Sequence, residues 1–336
     1  MPLHTSFIQK LPFSRERYRH YLPLFPAAVS RFDLRDFDCV ISSSHCVAKG
    51  VRTAPGTLHL CYCYTPMRYI WGLYDDYFGK ERAGLLTRMG MGMAVGYLRR
   101  WDVRTAAYPH HFIAISENVR QRIREIYGRS SDLIYPPVDT SRFAVSARDD
   151  GFYLIVSALV PYKRVDLAVE AFNRSGERLL VVGDGPDLAR LRHAARANVE
   201  FLGWQPDHTI AELYAACRAV VFPGEEDFGI VPVEAMASGK PVIAFARGGA
   251  LETVVDRPEV STGVLFSEQT VESLLSGVGR AREKTFDPDR MRAFAERFDR
   301  EAYKRQMEEY VVRRWSEFVA TSRQPTRSEG VIGDPR

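Results

Sequence analysis

Phe222-Pro-Gly-Glu-Glu-Asp-Phe-Gly-Ile-Val-Pro-Val-Glu-Ala-Met-Ala-Ser-Gly-Lys-Pro-Val-Ile243 is the stretch whose reading decides the fold. An apolar strand pattern ends at Phe222, and a loop carrying Gly and acid follows. A helical pattern opens near Ile230, and a new apolar run begins at Val242. A helix that starts just past a parallel strand turns unpaired N–H groups and its positive end toward the sheet's carboxyl edge. That is an anion site of the kind that holds phosphates. Glu226 falls just before this helix and Glu234 about one turn inside it. Two carboxylates there suit a polyol, since each accepts hydrogen bonds from neighbouring hydroxyls. The plainer alternative is an acidic first turn that satisfies the helix dipole.

Outward from this stretch the alternation continues. Strands are expected at 152–158, 178–183, 199–202, 219–222, 242–244 and 263–266. Helices are expected near 163–173, 186–196, 207–217, 230–238 and 250–255, with a charged helical segment over 287–320 that crosses back to the first half. Short apolar runs alternating with helices of this length are the βαβ signature of a doubly wound sheet. The first half reads as a second such domain, with strands at 37–42, 57–64, 111–116 and 133–135. A helical stretch spans 81–107, and a helix Glu117–Tyr127 is capped by Ser116. Pro136-Pro137 and the polar residues after them mark the boundary. The expected domains are therefore 1–140 and 141–320, with a disordered tail at 321–336.

A second motif is Val156-Ser-Ala-Leu-Val-Pro-Tyr-Lys-Arg-Val-Asp166, where Lys163 and Arg164 are expected to open a helix. Cations at a helix N-terminus oppose its dipole, so an anion is expected to offset them; the alternative is that both reach solvent.

Composition excludes several classes. With 46% apolar and 26% charged residues the chain is an ordinary globular one. No apolar run reaches the roughly 18 residues of a spanning helix, and the N-terminus lacks a signal-peptide core, so a cytoplasmic location is expected. The five cysteines at 39, 46, 61, 63 and 217 form no disulfide or zinc framework; Cys61 and Cys63 read as buried strand residues. Gly183-Asp-Gly185 lacks the third glycine of a dinucleotide fingerprint. Asp36, Asp38, Asp287 and Asp289 read as caps, and His110-His111 as structural, so no metal is expected. Residues 1–148 carry a net charge of +9 and residues 149–336 one of −5, which turns the front half toward an anionic partner or reflects a solvated face. No nucleic acid is expected as a partner.

The pair Lys163-Arg164 with Glu226-x7-Glu234 resembles the nucleotide-sugar site of retaining GT-B glycosyltransferases of family four. Pro137-Val138-Asp139, Gly183-Asp-Gly-Pro186 and Gly248-Gly249-Ala-Leu-Glu252 agree with it. Ile41-Ser-Ser-Ser-His-Cys-Val-Ala-Lys49, Thr65-Pro-Met-Arg-Tyr69 and Ser157–Arg164 are similar to mannosyltransferases that build O-antigen and other surface polysaccharides. The resemblance implies two Rossmann-like domains facing a cleft and transfer of mannose from GDP-mannose to a glycan or lipid-linked acceptor, with no cofactor beyond the donor. It implies that Lys163 neutralises the donor diphosphate and that the N–H groups of Phe228, Gly229 and Ile230 cradle the distal phosphate. Glu234 would accept from the ribose and Glu226 would hold the transferred sugar. Two positions depart from the pattern. Ala158 stands where the family places Arg, with Arg164 as the substitute, and Tyr64 stands where it places a donor-contacting His. The family's N-terminal strand and glycine loop have no counterpart, so the front domain is expected to be truncated. A degenerate nucleotide-sugar-binding protein and a GT-B epimerase or hydrolase are the alternatives.

The stretch 82–104 carries five arginines among Leu, Met and Trp101. It reads either as a core helix with solvated arginines or as a basic helix resting on an anionic membrane, the inner face of the plasma membrane.

Overall fold

The computed structural model describes residues 3–14, 18–72, 85–257 and 260–322. Two parallel sheets organise it. The front sheet has the order β1-β2-β3-β4, formed by Cys39–Ser44, Leu58–Cys63, His111–Ala114 and Asp132–Leu133. The back sheet contains β5 Phe152–Val156, β6 Arg178–Val182, β7 Val199–Gly203, β8 Ala219–Phe222, β9 Val242–Phe245 and β10 Gly263–Phe266. Its order is β10-β9-β8-β5-β6-β7. The chain steps outward from β5 to β7, then returns to β8 on the other side of β5. That reversal makes the carboxyl ends of β5 and β8 the topological switch point, where open α/β sheets bind their ligands.

The expected strands are all present, with ends moved by a residue or two. β2, β5, β8 and β9 are apolar on both faces because helices cover both, and every residue of β2, β8 and β9 is buried. Cys61 and Cys63 lie in that buried strand, as expected. No strand precedes Cys39 among the described residues. Ser116 caps the helix Glu117–Tyr127 by accepting from the Val119 N–H, and Gly128 closes it in the left-handed region at φ 63°.

One helix goes beyond the expected pattern, and one expected segment is corrected. The helix Val271–Glu283 is present although Gly277 and Gly279 weaken its pattern; Gly277 lets it lie against Ile243 and Phe266. The segment 287–320 is two helices, Pro288–Ala295 and Arg300–Ser322, parted at Phe298 and Asp299. There the Val138 N–H donates to the Phe298 carbonyl and the Arg300 N–H to the Val138 carbonyl. The second helix does return to the front sheet: Tyr310 Oη and Arg314 both donate to Asp132 at 2.8 Å. It runs to Ser322, past the expected start of the tail. Residues 323–336, and the expected helix start at 81–84, lie outside the described residues.

Trp101 follows the core-helix reading of its stretch: it is buried with Leu98, Leu22, Val29, Met67 and Ile70. The helix Leu85–Thr105 turns inward because Asp102 sits beside a buried Lys49, whose Nζ is 2.7 Å from Asp102 Oδ1. Trp71 Nε1 and Tyr127 Oη donate to Asp102 Oδ2 at 2.8 and 2.9 Å.

His59 on β2 is fully buried, with Nε2 at 2.9 Å from Ser42 Oγ, and its own N–H donates to His110 Nδ1 at 3.0 Å. Burial first, then the neighbouring His110, push its pKa down to about 4. The unfolded chain takes up this proton below about 6.5 while the folded one does not until near 4, so stability is lost as pH falls through that window. The loss amounts to about 3 kcal/mol at most. Urea midpoints at pH 7 and pH 4.5 should differ less in His59→Gln than in the parent; equal pH dependence in the two would overturn this assignment.

Candidate active site

β5 and β8 pair through Tyr153 with Ala219 and Leu154 with Val220, so the loops that leave them emerge side by side. After β5 the chain passes through a 3₁₀ turn at Pro161–Lys163 and a left-handed Arg164 (φ 52°) into the helix Val165–Ser175. Lys163 and Arg164 thus precede the helix rather than open it. After β8 the loop from Pro223 to Gly229 enters the helix Ile230–Ala237. Gly224 presses on the backbone of Tyr162 and Lys163 so closely that a Cβ would stand 2.8 Å from Lys163 Cα. This contact seats Lys163 against Glu226, and their side chains form an ion pair that is only 15% and 21% exposed.

A cavity of about 640 Å³ opens on this pair. Tyr64 at the end of β2 reaches it from the front sheet, half-exposed and edge-on to Tyr62 at 5.4 Å. Phe228, Gly229 and Ile230 bring the helix N-terminus to its wall, and Gly183 forms another wall. Gly183 has φ +130°, and a side chain there would run into the Ser157 carbonyl. The first glycine of Gly183-Asp-Gly185 is therefore a close-packing device. The structure brings together Lys163, Glu226, Tyr64, Phe228, Gly229 and Ile230.

Two expected site residues stand elsewhere. Arg164 lines the neighbouring cavity and bonds Asp166 at 3.3 Å and Gln269 at 3.2 Å, so it does not join Lys163 in place of the Arg missing at Ala158. Glu234 lies one turn into its helix behind the cavity wall, accepting from Tyr214 Oη at 3.0 Å. Burial raises its pKa, opposed by that hydrogen bond.

Sequence reasoning missed three residues. Trp204, 76% exposed just past β7, offers an apolar face at the mouth of the cavity. Asp227 is buried and ion-paired with Arg68 and Arg122 of the front half, Arg122 at 2.5 Å, while Ser116 Oγ donates to its carbonyl at 2.5 Å. Glu252, quoted only as a motif end, accepts from the N–H groups of Glu117 and Asn118 at 2.8 and 3.1 Å. A carboxylate of the back half thereby caps a front-half helix. For Asp227 the available signal was the run of three acids at 225–227.

The family described as glycosyl transferases group 1 matches residues 138–305. The chain is 40% identical over 141 residues to a GDP-mannose-dependent alpha-mannosyltransferase of Mycobacterium tuberculosis, covering 38% of this chain and 36% of that protein. It spans less than half the length of this and of other curated relatives it matches strongly. Among solved structures, sucrose-phosphate synthase of Thermosynechococcus elongatus superposes with TM-score 0.66 at 20% identity, over 90% of this chain and 80% of that one. Anabaena HepE in complex with UDP and glucose gives TM-score 0.58 at 24% identity, over 75% and 77%. At these identities the likeness is one of fold, the two-sheet GT-B architecture.

Proposed function

Because the chain belongs to the glycosyl transferases group 1, we propose that it transfers a hexose from a nucleoside diphosphate sugar to a glycan or lipid-linked acceptor. The donor we favour is GDP-mannose, the donor named for its mycobacterial relative. The observation that carries this reading is the Lys163–Glu226 pair, held at the switch point beside a helix N-terminus.

In the proposed mechanism the donor diphosphate draws Lys163 away from Glu226 and lies against the N–H groups at Phe228, Gly229 and Ile230. Glu226, released from the lysine, accepts from hydroxyls of the sugar, and Tyr64 donates a hydrogen bond across the cleft. Trp204 gives the base an apolar face, and Glu234, set behind the wall in the free protein, turns the carboxylate oxygen that Tyr214 does not bind toward the ribose when the donor enters. Negative charge grows on the leaving diphosphate oxygen, which takes the acceptor's proton on the face it departs from, so the anomeric configuration is retained. Lys163 and the helix terminus stabilise that charge, and transfer is proposed to need no metal.

No helix among the described residues is long and apolar enough to cross a membrane. Docking on an anionic leaflet would use the exposed Tyr97, Arg100, Val103 and Arg104, since Leu98 and Trp101 are buried. The placement of Arg164 in the neighbouring cavity favours a second reading, a protein that binds the donor without turning it over.

Calorimetry with GDP, UDP and ADP, followed by an assay for sugar transfer with and without a chelator, tests these readings. Lys163→Ala is expected to weaken binding of the preferred nucleotide by about 1.5–3 kcal/mol, because it removes a charge-assisted contact and leaves Glu226 unpaired beside the phosphates. Equal affinity in parent and variant overturns the role of Lys163. Binding without transfer supports the second reading.

A further inference from the structure

A second cavity, of about 690 Å³, shares Arg68 and Asp227 with the donor cavity and lies beyond them. Its volume is within the range of small-ligand sites. The run Glu225-Glu226-Asp227 divides between the two: Glu226 faces the donor cavity, Glu225 faces the second, and Asp227 borders both. A molecule in the second cavity therefore sits one residue along the chain from the carboxylate that faces the donor. We propose that this cavity holds a neutral saccharide, the acceptor of the transfer reaction. The acceptor role rests on the transferase reading above.

The charges on its walls identify the ligand class. Arg122 pairs with Asp227 and, at 3.4 Å, with Glu225; Arg68 pairs with Asp227, Arg164 with Asp166 and Arg190 with Asp187. Each guanidinium is already matched by a carboxylate, so a phosphate entering here would displace an acid and face its repulsion. A sugar hydroxyl both donates and accepts, and a surface of adjacent guanidinium donors and carboxylate acceptors meets vicinal hydroxyls without breaking any pair. Arg122 and Glu125, three residues apart on one helix, present one of each to the same space. Trp71 and Tyr162 add aromatic faces for the C–H side of a sugar ring. Trp71 is held in place by its bond to Asp102 and by Arg99, whose guanidinium lies 5.0 Å from the ring centre. The two halves of the chain each supply part of the wall, so a ligand here bridges them.

The test is saturation-transfer NMR on the full chain with saturating GDP, using methyl glycosides of mannose, glucose and galactose, the mannobioses, and inorganic phosphate. At least one saccharide should bind with GDP present, and phosphate should not compete. Glu225→Gln and Glu125→Ala should each weaken that saccharide at least tenfold while GDP affinity and the thermal midpoint stay unchanged. Displacement of the saccharide by GDP, competition by phosphate, unaltered binding in both variants, or binding of no saccharide would each overturn the proposal. The two readings fail separately. A chain that binds saccharide but no nucleotide keeps the glycan site and loses the transferase reading, whereas one that binds GDP and no saccharide does the reverse.

Discussion

Glu226→Ala is expected to lower turnover by about 10²–10³-fold, the usual cost of removing one preorganised polar group from a reaction centre. Its affinity for free GDP should be unchanged or tighter. The direction follows from the ion pair: in the free protein Lys163 is held by Glu226, and the diphosphate must take it over. Removing the acid frees the lysine for the phosphates and deprives only the sugar of its partner. Glu234→Ala should behave in the opposite sense, weakening GDP itself. Because burial raises the pKa of Glu234, nucleotide affinity should begin to fall on acidification at a pH above the ordinary carboxylate value of 4.5. Calorimetry on both variants, with single-turnover rates on GDP-mannose, separates the two acids. Equal losses of free-nucleotide affinity would refute the division.

Lys49→Met is expected to destabilise the fold by about 3–5 kcal/mol, since removing one member of a buried pair strands the other charge away from water. Lys49 is 1% exposed and Asp102 fully buried. Lys49 also donates to the Asp102 carbonyl at 2.8 Å and to Thr105 Oγ1 at 3.0 Å, so its loss removes those two bonds as well. The damage should be local to the front half: Trp71 and Tyr127 both depend on Asp102 for their polar atoms. Chemical denaturation measures the loss, and a change below about 1 kcal/mol would show that the surroundings rehydrate the acid. Trp71 also lines the second cavity, so saccharide binding should weaken in this variant before GDP binding does.

The back sheet was almost wholly legible in the sequence. Its strands are short apolar runs, those at the centre apolar on both faces, and the turns between them carry Gly, Pro and Asp, so both the strand pattern and its ends are local properties. Lys163 and Glu226 were legible for the same reason, each lying just past the end of such a run. The helix Val271–Glu283 was not, because two glycines weaken the local pattern, and only at Gly277 does close packing against β9 and β10 account for the glycine.

Tertiary structure alone decided the rest. Strand order seats the β5 and β8 loops together, and nothing local to either loop encodes it. Arg68 and Arg122 reach Asp227 across 159 and 105 residues of chain, so no spacing rule could connect them. Arg164, adjacent to Lys163, takes a left-handed backbone and faces a different cavity. Trp101 turns inward because Lys49 and Asp102 share one dry site, which its own stretch, readable as a core helix or as a surface one, does not encode. The sequence by itself determined every strand, most of the helices, and the two loops, after β5 and β8, that meet at the switch point. The direction a side chain takes once two elements meet is set by the partners that satisfy its charge, and those partners come from distant parts of the chain.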